Sequence, residues 1–339
     1  MFGRRRVRVA SRRPGRSLFA FAIVTASIVA VTMGPKPVFV DRWTEPTVPE
    51  DVDAWLAARE GEVDGLEASR AKEIVWAGEP GERTRFSVVY LHGFSADKHE
   101  MAPVAQRVAA GLGANLFLAR LAGHALGPEA LGAATVGDWL DDTAEAIAVG
   151  GAIGDRVIVV GTSTGGTLAT WLATKQEAAD RLAAIVLVSP NFHPKNRMSR
   201  IPLYPWGERI GSLVAGGDRC WEPSNEEQAR HWTTCYPMSS IVEMMTLVEH
   251  VRLADLSGIT VPVLVLYSPE DQVVEPGETL RVVPGMTGTD PVVTIVDGVT
   301  DRSRHVLAGD ILSPGTNEQV VALISDFLSA RLADVGGRP

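Results

Sequence analysis

Along most of the chain, short runs rich in Val, Ile and Leu alternate with stretches whose apolar residues recur at helical spacing. The runs 86–91, 115–121, 156–160, 184–188, 261–267 and 292–296 predict strands. They are apolar at nearly every position rather than every second one, which suits strands covered on both faces. The periodic stretches between them predict helices over 52–66, 136–147, 167–175 and 317–332. The expected fold class is therefore α/β, a mostly parallel sheet with helices on both faces.

The rhythm breaks twice. Residues 190–251 hold six prolines, three tryptophans (Trp206, Trp221, Trp232) and both cysteines, without a strong strand run. This predicts an inserted cap of mixed helix and loop over the strand ends, splitting the α/β core into 71–189 and 252–335. Cys220 and Cys235 fit either a disulfide closing a short loop or two unrelated buried thiols.

The second break is N-terminal. Residues 1–17 carry seven arginines and no acid, and 18–33 contain an uncharged run of sixteen residues. Together they read as the basic and apolar parts of an export signal, with the remainder of the chain sent outward. The run ends Val31-Thr32-Met33-Gly34-Pro35, without a small-x-small cleavage site. That favours an uncleaved anchor in the cell membrane over a cleaved, secreted chain. Arg12-Arg13 lacks the apolar residues expected after a twin-arginine motif. Residues 34–70 then serve as a proline-rich linker and a leading helix.

Composition adds exclusions. Hydrophobic residues at 45% and charged residues at 22% describe an ordinary globular chain. The net charge of -9 includes the basic head; without it 25 Lys+Arg face 41 Asp+Glu. So acidic a body argues against a nucleic-acid partner. Neither a strand-linked G-x-G-x-x-G nor a P-loop pattern occurs, so no nucleotide cofactor is expected. His99, His124, His193, His231 and His250 show no H-x-x-x-H or cysteine-paired spacing, so no metal is expected either. The pattern does not fix an oligomeric state.

The chemistry concentrates at Gly161-Thr162-Ser163-Thr164-Gly165-Gly166, between the strand 156–160 and a helix. A sharp strand-to-helix turn projects a serine hydroxyl from the sheet edge and aims the next N–H at the same point. Such a serine needs a base, and the base an orienting carboxylate, in the order Ser, acid, His. Asp271 lies in the loop after the strand 261–267, with Glu270 as a rival, and His305 is the only histidine beyond it. The backbone N–H groups of Thr164 and Phe94 are the expected oxyanion donors. His92 is expected to shape the turn rather than to act as a base.

Five segments together resemble the α/β-hydrolase superfamily over 73–332: Leu91-His92-Gly93-Phe94, residues 161–166, residues 269–274, Ser303-Arg304-His305-Val306, and the loop 121–131 with Thr135-Val136-Gly137-Asp138-Trp139. The set looks like bacterial carboxylesterases and monoacylglycerol lipases. Ala122 and Ala125 depart from it, standing where the loop usually has Pro and Gly. The resemblance implies a Ser163–Asp271–His305 triad, a small cap after the sixth strand, and hydrolysis of small-molecule or lipid acyl esters through an acyl-enzyme on Ser163. In the cap, Trp206, Leu213, Trp221, Trp232, Met238, Met244 and Met245 either line an acyl-chain site or pack the cap onto the sheet. Two alternatives remain: acyl transfer to an envelope lipid or glycan, and a catalytically silent, membrane-tethered binding module.

Overall fold

A computed structural model describes residues 32–215 and 217–333, together with 25, 27 and 29. The expected basic segment and most of the apolar run lie outside the described residues. Among those described, no helix is long and apolar enough to cross a membrane.

The apolar runs become the strands of one seven-stranded sheet. In chain order these are β1 (Glu73–Val75), β2 (Thr84–Leu91), β3 (Asn115–Leu118), β4 (Gly154–Thr162) and β5 (Leu182–Val188). After two short strands of the cap, β6 (Asp218–Cys220) and β7 (Cys235–Pro237), come β8 (Val263–Tyr267) and β9 (Val292–Ile295). The spatial order is β1-β3-β2-β4-β5-β8-β9. Only β1 runs antiparallel to its neighbour; every other pairing in the sheet is parallel. β1 was not expected, because three residues are too few to show a period. β3 stops at Leu118, since Leu121 already belongs to the following loop.

Alternation explains why these strands are apolar throughout. Val157, Val159, Ile185 and Leu187 enter one buried cluster with Trp139, Ile147, Leu168 and Leu172. Ile158, Val160, Val186 and Val188 enter the opposite cluster, against Val104, Val108, Ile324 and Leu328. Helices 136–153, 164–173 and 238–253 thus cover one face, and helices 104–112 and 317–332 the other.

The Thr135-x-x-Asp138-Trp139 segment has a local cause. The Thr135 side chain accepts from the Asp138 N–H and the Asp138 carboxylate accepts from the Thr135 N–H, a capping box that starts the helix 136–153. Trp139 is then fully buried, and its indole N–H donates to the Ala122 carbonyl at 3.0 Å.

The proline-rich stretch does not hang free; it straps the first helical layer. Phe39 stacks on His250 at 3.7 Å, and Asp41 accepts from Lys175 and from the Trp171 indole. Arg42 pairs with Asp141, and Glu45 with Arg181. The leading helix runs over Val52–Gly61, shorter than its sequence pattern.

The cap follows β5, the fifth strand of this chain. It contains a 3-10 turn (Arg197–Leu203), the helices Gly207–Ala215 and Glu226–His231, and a small β6–β7 ladder. Cys220 and Cys235 face each other across that ladder and form a disulfide. Helix Met238–Leu253 then leads back to the core, burying Met245, Leu247, Val248 and Val251 in the first cluster; residue 251 falls inside it.

Candidate active site

Ser163 occupies the turn between β4 and the helix Thr164–Ala173, with φ 52° and ψ -115°. A non-glycine residue at positive φ costs about 1–3 kcal/mol and persists only where its surroundings enforce it. Here the Ser163 N–H donates to the Val188 carbonyl at 2.9 Å, and its own carbonyl accepts from Asn191 and Thr167 N–H groups. The flanking glycines are steric necessities. A Cβ on Gly161 would collide with the Gly165 carbonyl, and one on Gly165 with the Leu91 carbonyl. The serine is 6% exposed.

Asp271 and His305 meet as the sequence predicts. His305 Nδ1 lies 2.7 Å from Asp271 Oδ2, both side chains being buried. Asp271 Oδ1 accepts from the N–H groups of Val273 (2.7 Å) and Val274 (2.9 Å), which fixes the carboxylate plane. The rival Glu270 is exposed and points instead toward Arg304. Burial pulls the His305 pKa down, but the Asp271 charge and hydrogen bond outweigh it and leave the imidazole above its ordinary value. Asp301, missed in the sequence, builds the His305 loop. Its Oδ2 accepts from the N–H groups of His305 (2.9 Å) and Val306 (3.0 Å), and Ser303 closes on it as well.

The loop after β2 brings Phe94 to the same place, while Thr164 opens the helix beyond Ser163. His92 is fully buried, with Nδ1 at 2.9 Å from the Gly93 carbonyl and Nε2 accepting from the Leu121 N–H at 3.1 Å. That assigns the proton to Nδ1, and burial lowers the pKa to about 4, so His92 is a neutral brace.

Glu100 is a second residue that sequence reasoning missed. Its Oε2 accepts from the Gly93 N–H at 2.7 Å and lies 3.0 Å from the Tyr90 hydroxyl, which ties it to the loop that carries Phe94. Complete burial raises its pKa to about 7, against partial relief from the Gly93 hydrogen bond and His305. The unfolded chain ionises this group near its ordinary value, whereas the folded chain holds the proton up to about 7. Stability should therefore fall as pH climbs between those values. Glu100→Gln should remove that slope, gaining roughly 2–3 kcal/mol on wild type between pH 5 and pH 8 in urea denaturation. A parallel pH dependence in both proteins would contradict it.

Ser163, His305 and Phe94 open onto one cavity of about 550 Å³. The cap and the helix after it contribute apolar Trp221, Trp232, Tyr236, Ile241 and Met244 to its lining, alongside polar Arg219, Glu222, Ser224 and Gln228. Of the seven apolar residues expected there, Trp221, Trp232 and Met244 line the cavity. Met245 is buried in the core and Met238 packs against it, while Leu213 is 84% exposed. Trp206 instead receives the strap, its N–H donating to the Pro35 carbonyl. Helical periodicity cannot separate these fates.

Comparison with known proteins gives a consistent picture. A family described as serine aminopeptidase, S33, matches residues 82–300. A thermostable monoacylglycerol lipase of Bacillus sp. (strain H-257) is 29% identical over 232 residues, 67% of this chain and 85% of the lipase. Among solved structures, one reported for the metagenome-derived lipolytic enzymes LipS and LipT superposes with a TM-score of 0.60 at 20% identity, covering 78% of this chain and 99% of that one. A soluble variant of Saccharomyces cerevisiae monoglyceride lipase superposes at 0.56 and 14% identity, covering 88% and 99%. Together with the mostly parallel sheet, these structures establish the α/β-hydrolase fold.

Proposed function

Since the chain belongs to the α/β-hydrolase family described as serine aminopeptidase, S33, we propose that it is a serine hydrolase of carboxylic acyl esters, with a monoacylglycerol-like lipid ester as the substrate class. The observation that carries this reading is the buried Asp271–His305 pair on the cavity that the strained Ser163 also faces. In the proposed reaction His305 Nε2 takes the Ser163 proton as Oγ attacks the ester carbonyl. The N–H groups of Thr164 and Phe94 receive the oxyanion, and the alcohol leaves with the proton from His305. Water, activated by the same imidazole, then releases the acid from Ser163.

The family's description names a peptidase; what favours an ester here is the monoacylglycerol lipase among the relatives, together with the apolar residues of the cavity lining. Trp221, Trp232, Tyr236, Ile241 and Met244 offer burial to an acyl chain, each methylene removed from water contributing about 0.8 kcal/mol. Purified enzyme should turn over p-nitrophenyl butyrate and octanoate and leave aminoacyl p-nitroanilides essentially untouched. Faster cleavage of the anilides would overturn the ester assignment.

We also place the catalytic domain outside the cytoplasm, held by the N-terminal segment. The basic-then-apolar head supports this, as does the Cys220–Cys235 disulfide, a bond that persists in oxidising compartments. Alkaline phosphatase fused after Pro339 should be active in a bacterial host; an inactive fusion would refute the placement.

A further inference from the structure

The histidines show no H-x-x-x-H or cysteine-paired spacing, yet the fold closes a candidate ligand cluster across 134 residues. Asp97 and His99 lie in the loop beyond Phe94, and His231 ends the cap helix Glu226–His231. His99 Nδ1 is 3.0 Å from Asp97 Oδ1, and His231 Nδ1 is 3.0 Å from Asp97 Oδ2. One donor atom from each of the three residues lies within 4.8 Å of the others. A tetrahedral zinc with bonds of roughly 2.0–2.2 Å sets its donors about 3.3 Å apart, so only small shifts separate this cluster from a ligand set.

We propose that Asp97, His99 and His231 bind a divalent transition-metal cation of the zinc class, and that this ion clasps the cap to the core beside the substrate cavity. The surroundings have the character of such a site. Arg70 Nε donates to Asp97 Oδ2 at 2.6 Å and the His99 N–H donates to Oδ1 at 2.9 Å, which orients the carboxylate while leaving each oxygen further acceptor capacity for an ion. His231 Nε2 lies 3.7 Å from Glu227 Oε2, and metal ligation at Nδ1 would move the imidazole proton to Nε2, toward that carboxylate. Two imidazoles and one carboxylate suit borderline cations rather than calcium or magnesium. The two rings lie 4.1 Å apart, and His99 is partly open to solvent, which supplies a path of entry.

The consequence reaches the cavity. Gln228, on the same cap helix, and Trp232, just after it, line the cavity that His305 also lines. Trp232 also packs with Ala96, Val306 and Leu312, and the Thr233 N–H donates to the Ser95 carbonyl at 2.8 Å. An ion at the clasp would hold that part of the lining against the loop carrying Phe94.

The test uses the full chain in detergent, stripped with a chelator and titrated with Zn2+ by calorimetry and thermal unfolding. Wild type should bind one equivalent and gain thermal stability with Zn2+ concentration. His99→Gln and His231→Gln should each weaken binding at least about 100-fold, the upper end of what losing an outer-shell partner costs. Fluorophosphonate labelling of Ser163 confirms that each variant is folded, and His99, the more exposed ligand, covers the case in which His231→Gln is not. Wild-type binding no tighter than that of a folded variant would overturn the proposal. So would a one-equivalent site that survives both substitutions. Either result leaves the ester-hydrolase reading intact, because Ser163, Asp271 and His305 take no part in the clasp.

Discussion

Ser163→Ala should lower kcat for p-nitrophenyl esters by about 10⁴- to 10⁶-fold and abolish fluorophosphonate labelling, with the melting temperature unchanged or raised. The reasoning starts from the turn. The unusual backbone at Ser163 is held by its N–H on Val188, by its carbonyl on Asn191 and Thr167, and by glycines at 161 and 165. None of those contacts uses the hydroxyl, so alanine should occupy the same conformation. Only the nucleophile is lost. What remains is whatever the backbone donors and the cavity can do with water as attacker, a residue of catalysis that elsewhere amounts to about 10³–10⁴ over solution. Substantial ester turnover in the purified variant, with contaminating hydrolases excluded by expression in an inactive background, would sink the assignment of Ser163.

Why was so much of this site legible in the sequence? The nucleophile turn is a local structure, and its residues are consecutive, so its steric needs are written as Gly-x-Ser-x-Gly. Asp271 and His305, the proposed acid and base, were picked out by order along the chain, which the parallel sheet imposes by carrying each loop at the same end of its strand. Asp301, Glu100 and the Asp97 cluster were not found, because their meaning lies in contacts across space. Nothing near Asp301 marks it as the acceptor for the His305 loop. Likewise Glu100 becomes notable only once it is fully buried behind Gly93.

The two departures in the loop after β3 teach the same lesson. Ala122, standing where proline is usual, has an N–H and uses it, donating to Asp142 Oδ2 at 2.6 Å. A proline could not make that bond. Ala125, standing where glycine is usual, adopts φ 67° and bears the strain that glycine would avoid. From sequence both looked like losses of a motif; in the fold one of them is a gained hydrogen bond.

Asp271→Asn should reduce kcat by about 10⁴-fold while leaving ester binding nearly intact. Asp271 Oδ1 is pinned by the Val273 and Val274 N–H groups, so an amide would keep its oxygen there and turn its NH₂ toward His305 Nδ1. Facing a donor, Nδ1 would have to give up its proton and the imidazole would carry it on Nε2. In that tautomer it cannot take a proton from Ser163. The pH profile offers an independent check. In wild type the Asp271 charge keeps the His305 pKa above its ordinary value, and the base works only when neutral, so kcat/KM should rise as pH passes upward through that raised pKa. Without the charge the acidic limb should move to lower pH. Stability should shift too. A raised histidine pKa contributes stability that is full below the unfolded-state value and is lost as pH rises through the folded one. The variant should therefore be destabilised relative to wild type more at pH 5 than at pH 9, and an unmoved acidic limb would show that Asp271 does not set the charge state of His305.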